Sequence, residues 1–248
     1  MCHFGVGWYL EDLWRPALRA MTDTKTSDRV LAALEGCYEA PRAAALSGVP
    51  ISTVYYWART GVIVPTVSPE KPKRWSYADL IGLRIVYWLR HPKDSESAPV
   101  PASPMNDVRR ALAELDDLGL DIWSSSYVGP RTPLRVDRSG KVYLDSGPMV
   151  ETTHREGVLE ETLELLGPFE IDGGRGPDLV QPRPHLRIVP GKVSGEPHLD
   201  HSRITTQTVS ALYDRFGDLD RVISFYPDVA PEAISEAIDL EHQLQPAA

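Results

Sequence analysis

The chain has 248 residues, 42% of them hydrophobic and 25% charged, with a formal net charge of −9. These values suit a soluble globular protein of one large or two to three small domains, and any contact with nucleic acid must use cations gathered locally. Two cysteines, Cys2 and Cys37, give neither a metal-ligand spacing nor a disulfide framework. No apolar run approaches a membrane span and no signal peptide with a basic n-region is visible, so a reducing cytoplasm is the expected location.

Residues 1–28 read as an N-terminal arm and linker. Phe4, Trp8, Tyr9, Leu10, Leu13, Trp14 and Leu18 make a short amphipathic, aromatic-rich segment, either a docked arm or a poorly anchored terminus. Met21, followed by a polar stretch, is an alternative start of the polypeptide. Arg29 to Cys37 reads as a short helix, with Cys37 as a small core residue.

The densest part of the chain is Ala43-Ala44-Ala45-Leu46-Ser47-Gly48-Val49-Pro50-Ile51-Ser52-Thr53-Val54-Tyr55-Tyr56-Trp57, which reads as helix, tight turn, helix. Gly48 sits where the turn requires a positive φ, and Pro50 opens the second helix, where its missing N–H has no partner to lose. Val54 and Trp57 face inward, and Ser52, Thr53, Tyr55 and Tyr56 carry polar atoms outward. Gly61 is placed for a left-handed cap, with Val62 packing back on Trp57. Thr66 to Arg74 is then a loop holding Lys71, Lys73 and Arg74. Ser76 and Asp79 form a capping box that opens the next helix. Between Tyr38 and Trp75 five basic residues face two acidic ones, a net of +3 in an acidic chain. An ordinary helical hairpin and a DNA-binding helix-turn-helix with a basic wing both fit the two helices, and the basic loop favours the second.

Gly48 to Pro65, followed by Trp75-Ser76, Asp79-Leu80 and Leu83-Arg84, resembles the winged helix-turn-helix of MerR-type regulators. Tyr55 stands where that family usually has a DNA-contacting arginine. The family's long dimerisation helix and effector-binding part are not apparent. The resemblance therefore implies DNA binding, without metal or drug sensing. The candidate DNA-binding residues are Arg42, Ser52, Thr53, Tyr55, Tyr56, Arg59, Lys71, Lys73 and Arg74.

Residues 29–90 form the expected winged domain, closed by a helix with an apolar stripe at Leu80, Leu83, Val86, Tyr87 and Leu89. Residues 91–104, rich in Pro, Ser and charge, read as a linker. A helix from Pro104 to about Leu118, with Val108, Leu112 and Leu115 on one face, opens a central region at 105–167. In that region Leu134/Val136 and Val142/Leu144 flank a hairpin loop at Asp137 to Gly140. Thr153 to Leu166 is a helix capped by Thr153 and Glu156, and 168–185 reads as loop. The last unit, 186–244, begins with strands at Leu186–Val189 and Val193–Leu199. Three helices follow, with Pro231 opening the last.

Gly191-Lys192, Gly195 to Leu199, Ser202-Arg203-Ile204, Tyr226-Pro227 and the Ile234, Ala237-Ile238, Glu241 pattern resemble the DUF433 domain, a small helix-turn-helix-like module found on antitoxins. The family's Gly-Thr-Arg is His201-Ser202-Arg203 here. Together the two resemblances imply a VapB-type antitoxin whose partner toxin is a PIN-like ribonuclease. The expected fold is mainly α (α+β), with a winged N-terminal domain and a helical C-terminal module. Gly191 to Leu244 carries four basic and ten acidic residues, a net of −6 that repels phosphates and suits a basic protein partner. Arg203, Tyr226, Asp239 and Glu241 are the candidate partner- or dimer-binding residues.

His198, Asp200 and His201 could be imagined as metal ligands, but no third His or Cys is fixed nearby, so no metal is expected, and no cofactor is expected either. There is no Gly-rich phosphate loop, nucleophile motif or paired-carboxylate spacing, so no catalysis is expected. The expectation is a homodimeric antitoxin that binds its own operator DNA and silences a ribonuclease. The alternatives are a stand-alone MerR-like regulator and an adaptor whose winged domain has lost DNA affinity.

Overall fold

The computed structural model of the protein describes residues 27–93, 99–117, 134–137, 139–144 and 166–245. The N-terminal aromatic segment and all but Leu166 of the expected Thr153–Leu166 helix lie outside the described residues. The described fold is mainly helical, with three small two-stranded antiparallel sheets.

The first helices follow from local rules. α1 (27–35) leads through Tyr38 into α2 (Ala40–Ser47), and α3 (Ile51–Thr60) comes after a three-residue turn. Gly48 closes α2 at φ 77°, and its N–H returns to Ala44 O at 2.8 Å. Gly61 closes α3 at φ 69°, and Val62 is buried beside it. The capping box of α4 (Tyr77–Arg90) is complete: Asp79 N–H donates to Ser76 Oγ, and Ser76 N–H donates to Asp79 Oδ2. Asp79 also accepts the N–H and hydroxyl of Thr66, which ties the start of the 66–74 loop to the start of α4.

α4 is the central helix, and it departs from the expected single apolar stripe. Its residues from Asp79 to Leu89 are all buried. A helix apolar on nearly all sides must be covered all round, and the second cover comes from distant sequence. Tyr77 Oη donates to Leu179 O and Tyr87 Oη to Asp172 O. Arg84, fully buried, donates to the carbonyls of Leu46, Ser47, Gly167 and Pro177 and lies over the Phe169 ring. Burial lowers its pKa to about 9.

The stretch 168–185, expected as loop, holds a hairpin. β3 (Phe169–Ile171) pairs with β4 (Gly174–Gly176) across Asp172-Gly173, both at positive φ. Asp-Gly between short strands is the signal that marks this turn. β4 lies directly on the α2–α3 turn: a Cβ at Gly48 would sit 2.6 Å from Gly176 N, and one at Gly174 would sit 2.6 Å from Gly48 O. Glycine at 48 thus serves both the turn and the approach of the hairpin.

The 91–104 stretch, expected as linker, folds back on α4 in its described part. Lys93 and Val100 form a two-way backbone bridge, and Ser103 N–H donates to Leu89 O. α5 (Met105–Asp117) follows and packs Val108 and Ala111 inward. β1 (Leu134–Val136) and β2 (Val142–Leu144) form the expected hairpin, with Gly140 at φ 81°. β5 (Leu186–Arg187) pairs with β6 (His198–Leu199), shorter than expected. Val193, Ser194 and Gly195 all have positive φ and form a short 3-10 turn instead of a strand. Two bonds from the segment before α2 hold this turn: Tyr38 Oη donates to Gly195 O at 2.7 Å and Cys37 N–H donates to Ser194 O at 3.2 Å.

α6 (Thr206–Phe216), α7 (Leu219–Ser224) and α8 (Pro231–Leu244) match the expected three helices. They are capped by Thr205, Asp218 and the Pro231 first turn. Among the described residues no helix is long and apolar enough to cross a membrane.

Candidate nucleic-acid interface

α3 turns about 100° per residue, so Val54, Trp57 and Ala58, all buried, mark its inner side. The opposite side carries Ser52 and Arg59, flanked by Tyr55 and Tyr56, with Ile51 in the first turn at the margin beside Ala58. Ile51 is 41% exposed, Tyr55 50% and Tyr56 51%. The Arg59 guanidinium lies 5.8 Å from the centre of the Tyr56 ring. Thr53 is half-buried at the margin.

The loop 66–74 stands beside this face. Ser68 and Arg74 bond to each other in both directions, and Trp75 pairs with Tyr38 in the same way. The buried Trp75 ring meets Tyr55 edge-on at 6.4 Å, so one indole joins the loop's root to α3. Lys71 is exposed at the tip. Lys73 Nζ donates to Pro69 O, and Arg74 pairs with Glu39 at 2.8 Å. The three loop cations are therefore not equivalent: Lys71 is free to meet a phosphate, and Arg74 must first part from Glu39. Ile51 gave no sign of its exposure in the sequence: seven residues from the buried Ala58, it falls nearer the inner side than Arg59 does, and only the structure shows it 41% exposed in the first turn.

Arg42 lies elsewhere. It points away from α3 into the seam between α2 and the C-terminal unit, its side chain 11% exposed. Nη1 and Nη2 donate to Glu241 at 2.8 Å each, and Nε donates to Glu196 at 2.9 Å. Burial by itself would lower the guanidinium pKa, but the hydrogen bond and charge of Glu241, with Glu196, outweigh it and raise the value. Burial raises the Glu196 pKa, only partly offset by Arg42. The expectation that Arg42 holds a DNA phosphate and Glu241 a partner is corrected on both counts. Each is engaged by the other, because α2 turns this face toward α8.

The other partner candidates are distributed. Arg203 and Asp239 are exposed, and Tyr226 is half-buried against the core. The exposed surface of the last three helices and their loops carries Asp214, Asp218, Asp220, Asp228, Glu232 and Asp239. In the suggested metal trio, His198 is buried with Nδ1 on Glu196 O, Asp200 pairs with Arg187, and the His201 side chain is 95% exposed. These three do not converge.

No family model matches the chain, and no curated protein or solved structure matches it.

Proposed function

We propose that the protein is a DNA-binding antitoxin. The α2–α3 pair acts as a helix-turn-helix, α3 enters the major groove, and the 66–74 loop is the wing that touches the backbone. The C-terminal unit, a DUF433-like module, meets a basic protein partner, a PIN-like ribonuclease, which it silences. Two copies bind the two half-sites of the protein's own operator. The observation that carries the DNA reading is the outer side of α3. It has large side chains in solvent, one arginine, no acidic residue, and the exposed Lys71 on the neighbouring loop.

The test is a titration of the DNA directly upstream of the coding sequence, repeated over a salt series. Arg59→Ala and Lys71→Ala should each flatten the log–log salt slope by at most about 0.9, whatever the DNA sequence. Affinity and slope that ignore both changes refute the interface. For the partner, co-expression with the neighbouring ribonuclease should rescue growth. Asp220, Asp228 and Asp239 changed together to Asn should weaken that rescue. DNA binding with no rescue by the unaltered chain leaves a stand-alone regulator.

A further inference from the structure

The side chains that α3 turns outward are an unusual set for reading DNA. The commonest base contacts are arginine or lysine to guanine and asparagine or glutamine to adenine. α3 has no Lys, Asn, Gln, Asp or Glu, and its one arginine, in the last turn, lies 5.8 Å from the centre of the Tyr56 ring. What it offers a groove is hydroxyls from Ser52, Tyr55 and Tyr56, which accept either a donor or an acceptor, and apolar carbon from Ile51 and the two rings. Exposures of 41 to 51% for three large side chains on one ten-residue helix leave that carbon open to contact.

The major groove presents one apolar feature, the C5-methyl group of thymine. We propose that Ile51, Tyr55 and Tyr56 select DNA by contact with thymine methyl groups, so that the operator core is rich in A·T pairs read from the major-groove side. The inference rests on the DNA-binding reading above. Charge favours DNA over a protein as the occupant: the helix carries no acid, its Arg59 is exposed, and the loop that Trp75 ties to Tyr55 carries the exposed Lys71. Trp75 sets the Tyr55 ring in place, which makes Tyr55 the pre-oriented contact and Tyr56 and Ile51 the freer ones.

The experiment uses the full chain and the duplex directly upstream of its coding sequence, amplified once with thymidine and once with deoxyuridine triphosphate. Uracil pairs like thymine but lacks the methyl group. Loss of one buried methyl-sized group lowers affinity about fourfold, so a protein contacting several should bind the uracil duplex at least tenfold more weakly. In the double variant Ile51→Ala/Tyr56→Ala the ratio of the two affinities should fall toward one. Both side chains are exposed, and an unchanged thermal midpoint checks that the fold survives. Equal binding of the two duplexes by the unaltered chain overturns the inference and leaves DNA binding intact. A uracil effect that persists in full in the double variant, and again when Tyr55→Ala is added, reports altered DNA stiffness and also overturns it. Binding to neither duplex removes the DNA reading and the inference together. If Ile51→Glu turns a dimer into a monomer while uracil has no effect, the face belongs to a second copy of the chain.

Discussion

Arg42→Ala tests how the two ends of the chain are joined. The guanidinium makes three hydrogen bonds, at 2.8, 2.8 and 2.9 Å, to carboxylates whose side chains are 10 and 17% exposed. An exposed pair contributes about 0.2–1 kcal/mol, whereas removing one partner of a buried pair costs about 3–5 kcal/mol because the other charge is left without compensation. Here residual exposure lets water reach the carboxylates, which places the loss near the lower end, about 3 kcal/mol. Urea unfolding followed by the fluorescence of the buried Trp57, Trp75 and Trp88 measures it. Burial holds the Glu196 pKa above its ordinary 4.5 even beside Arg42. Without the cation it rises further, so the folded variant binds a proton more tightly than the unfolded chain. Its stability therefore improves as pH falls through that raised value, and the gap to the unaltered protein narrows. Adding Glu196→Gln should recover part of the loss. A loss under about 1 kcal/mol, independent of pH, refutes the buried clamp. In DNA titrations under folding conditions the salt slope should stay where it is. A fall of about 0.9 would return Arg42 to the phosphate backbone.

Three further outcomes are expected. Gly48→Ala combines a left-handed φ with a Cβ 2.6 Å from Gly176 N and should lose about 3 kcal/mol or more, whereas Gly61→Ala, with nothing within 4 Å, should lose about 1 kcal/mol. Equal losses in chemical denaturation contradict the close approach of the β3–β4 hairpin. Arg84→Lys keeps the charge but cannot serve four carbonyls on several sides. A drop of about 3 kcal/mol is expected, and a drop below 1 kcal/mol argues against the buried hub. Lys93 is buried over the Trp88 ring, and burial lowers its pKa to about 8. Between that value and its ordinary 10.5 the folded chain holds fewer protons than the unfolded one, so stability rises with pH across that window. Lys93→Met should therefore stabilise by about 1 kcal/mol at pH 7 and lose its advantage by about pH 10, as thermal melts across the range can follow.

The elements legible in the sequence are those whose causes lie within a few residues. Ser76 and Asp79 announce the start of α4 because both bonds of the box span three positions. Gly48, Gly61 and Pro231 punctuate helices through their own backbone preferences. The outward face of α3 was legible for the same reason, apart from Ile51, whose spacing of seven from Ala58 points to the buried side. The β3–β4 hairpin had one local mark, Asp172-Gly173. Its second strand, Gly174-Arg175-Gly176, has no alternating apolar pattern, so pattern reading sees only a loop.

Tertiary structure alone decided what charge and burial do over long separations. Arg42 meets Glu241 across 199 positions and Arg84 meets Pro177 across 93. The sequence marks both arginines as basic but holds nothing local that says whether they face phosphate, carboxylate or carbonyl. The all-round burial of α4 and the left-handed turn at Val193 to Gly195 have the same origin. Each is set by a surface brought from far along the chain, and a backbone without that surface has no reason to adopt it.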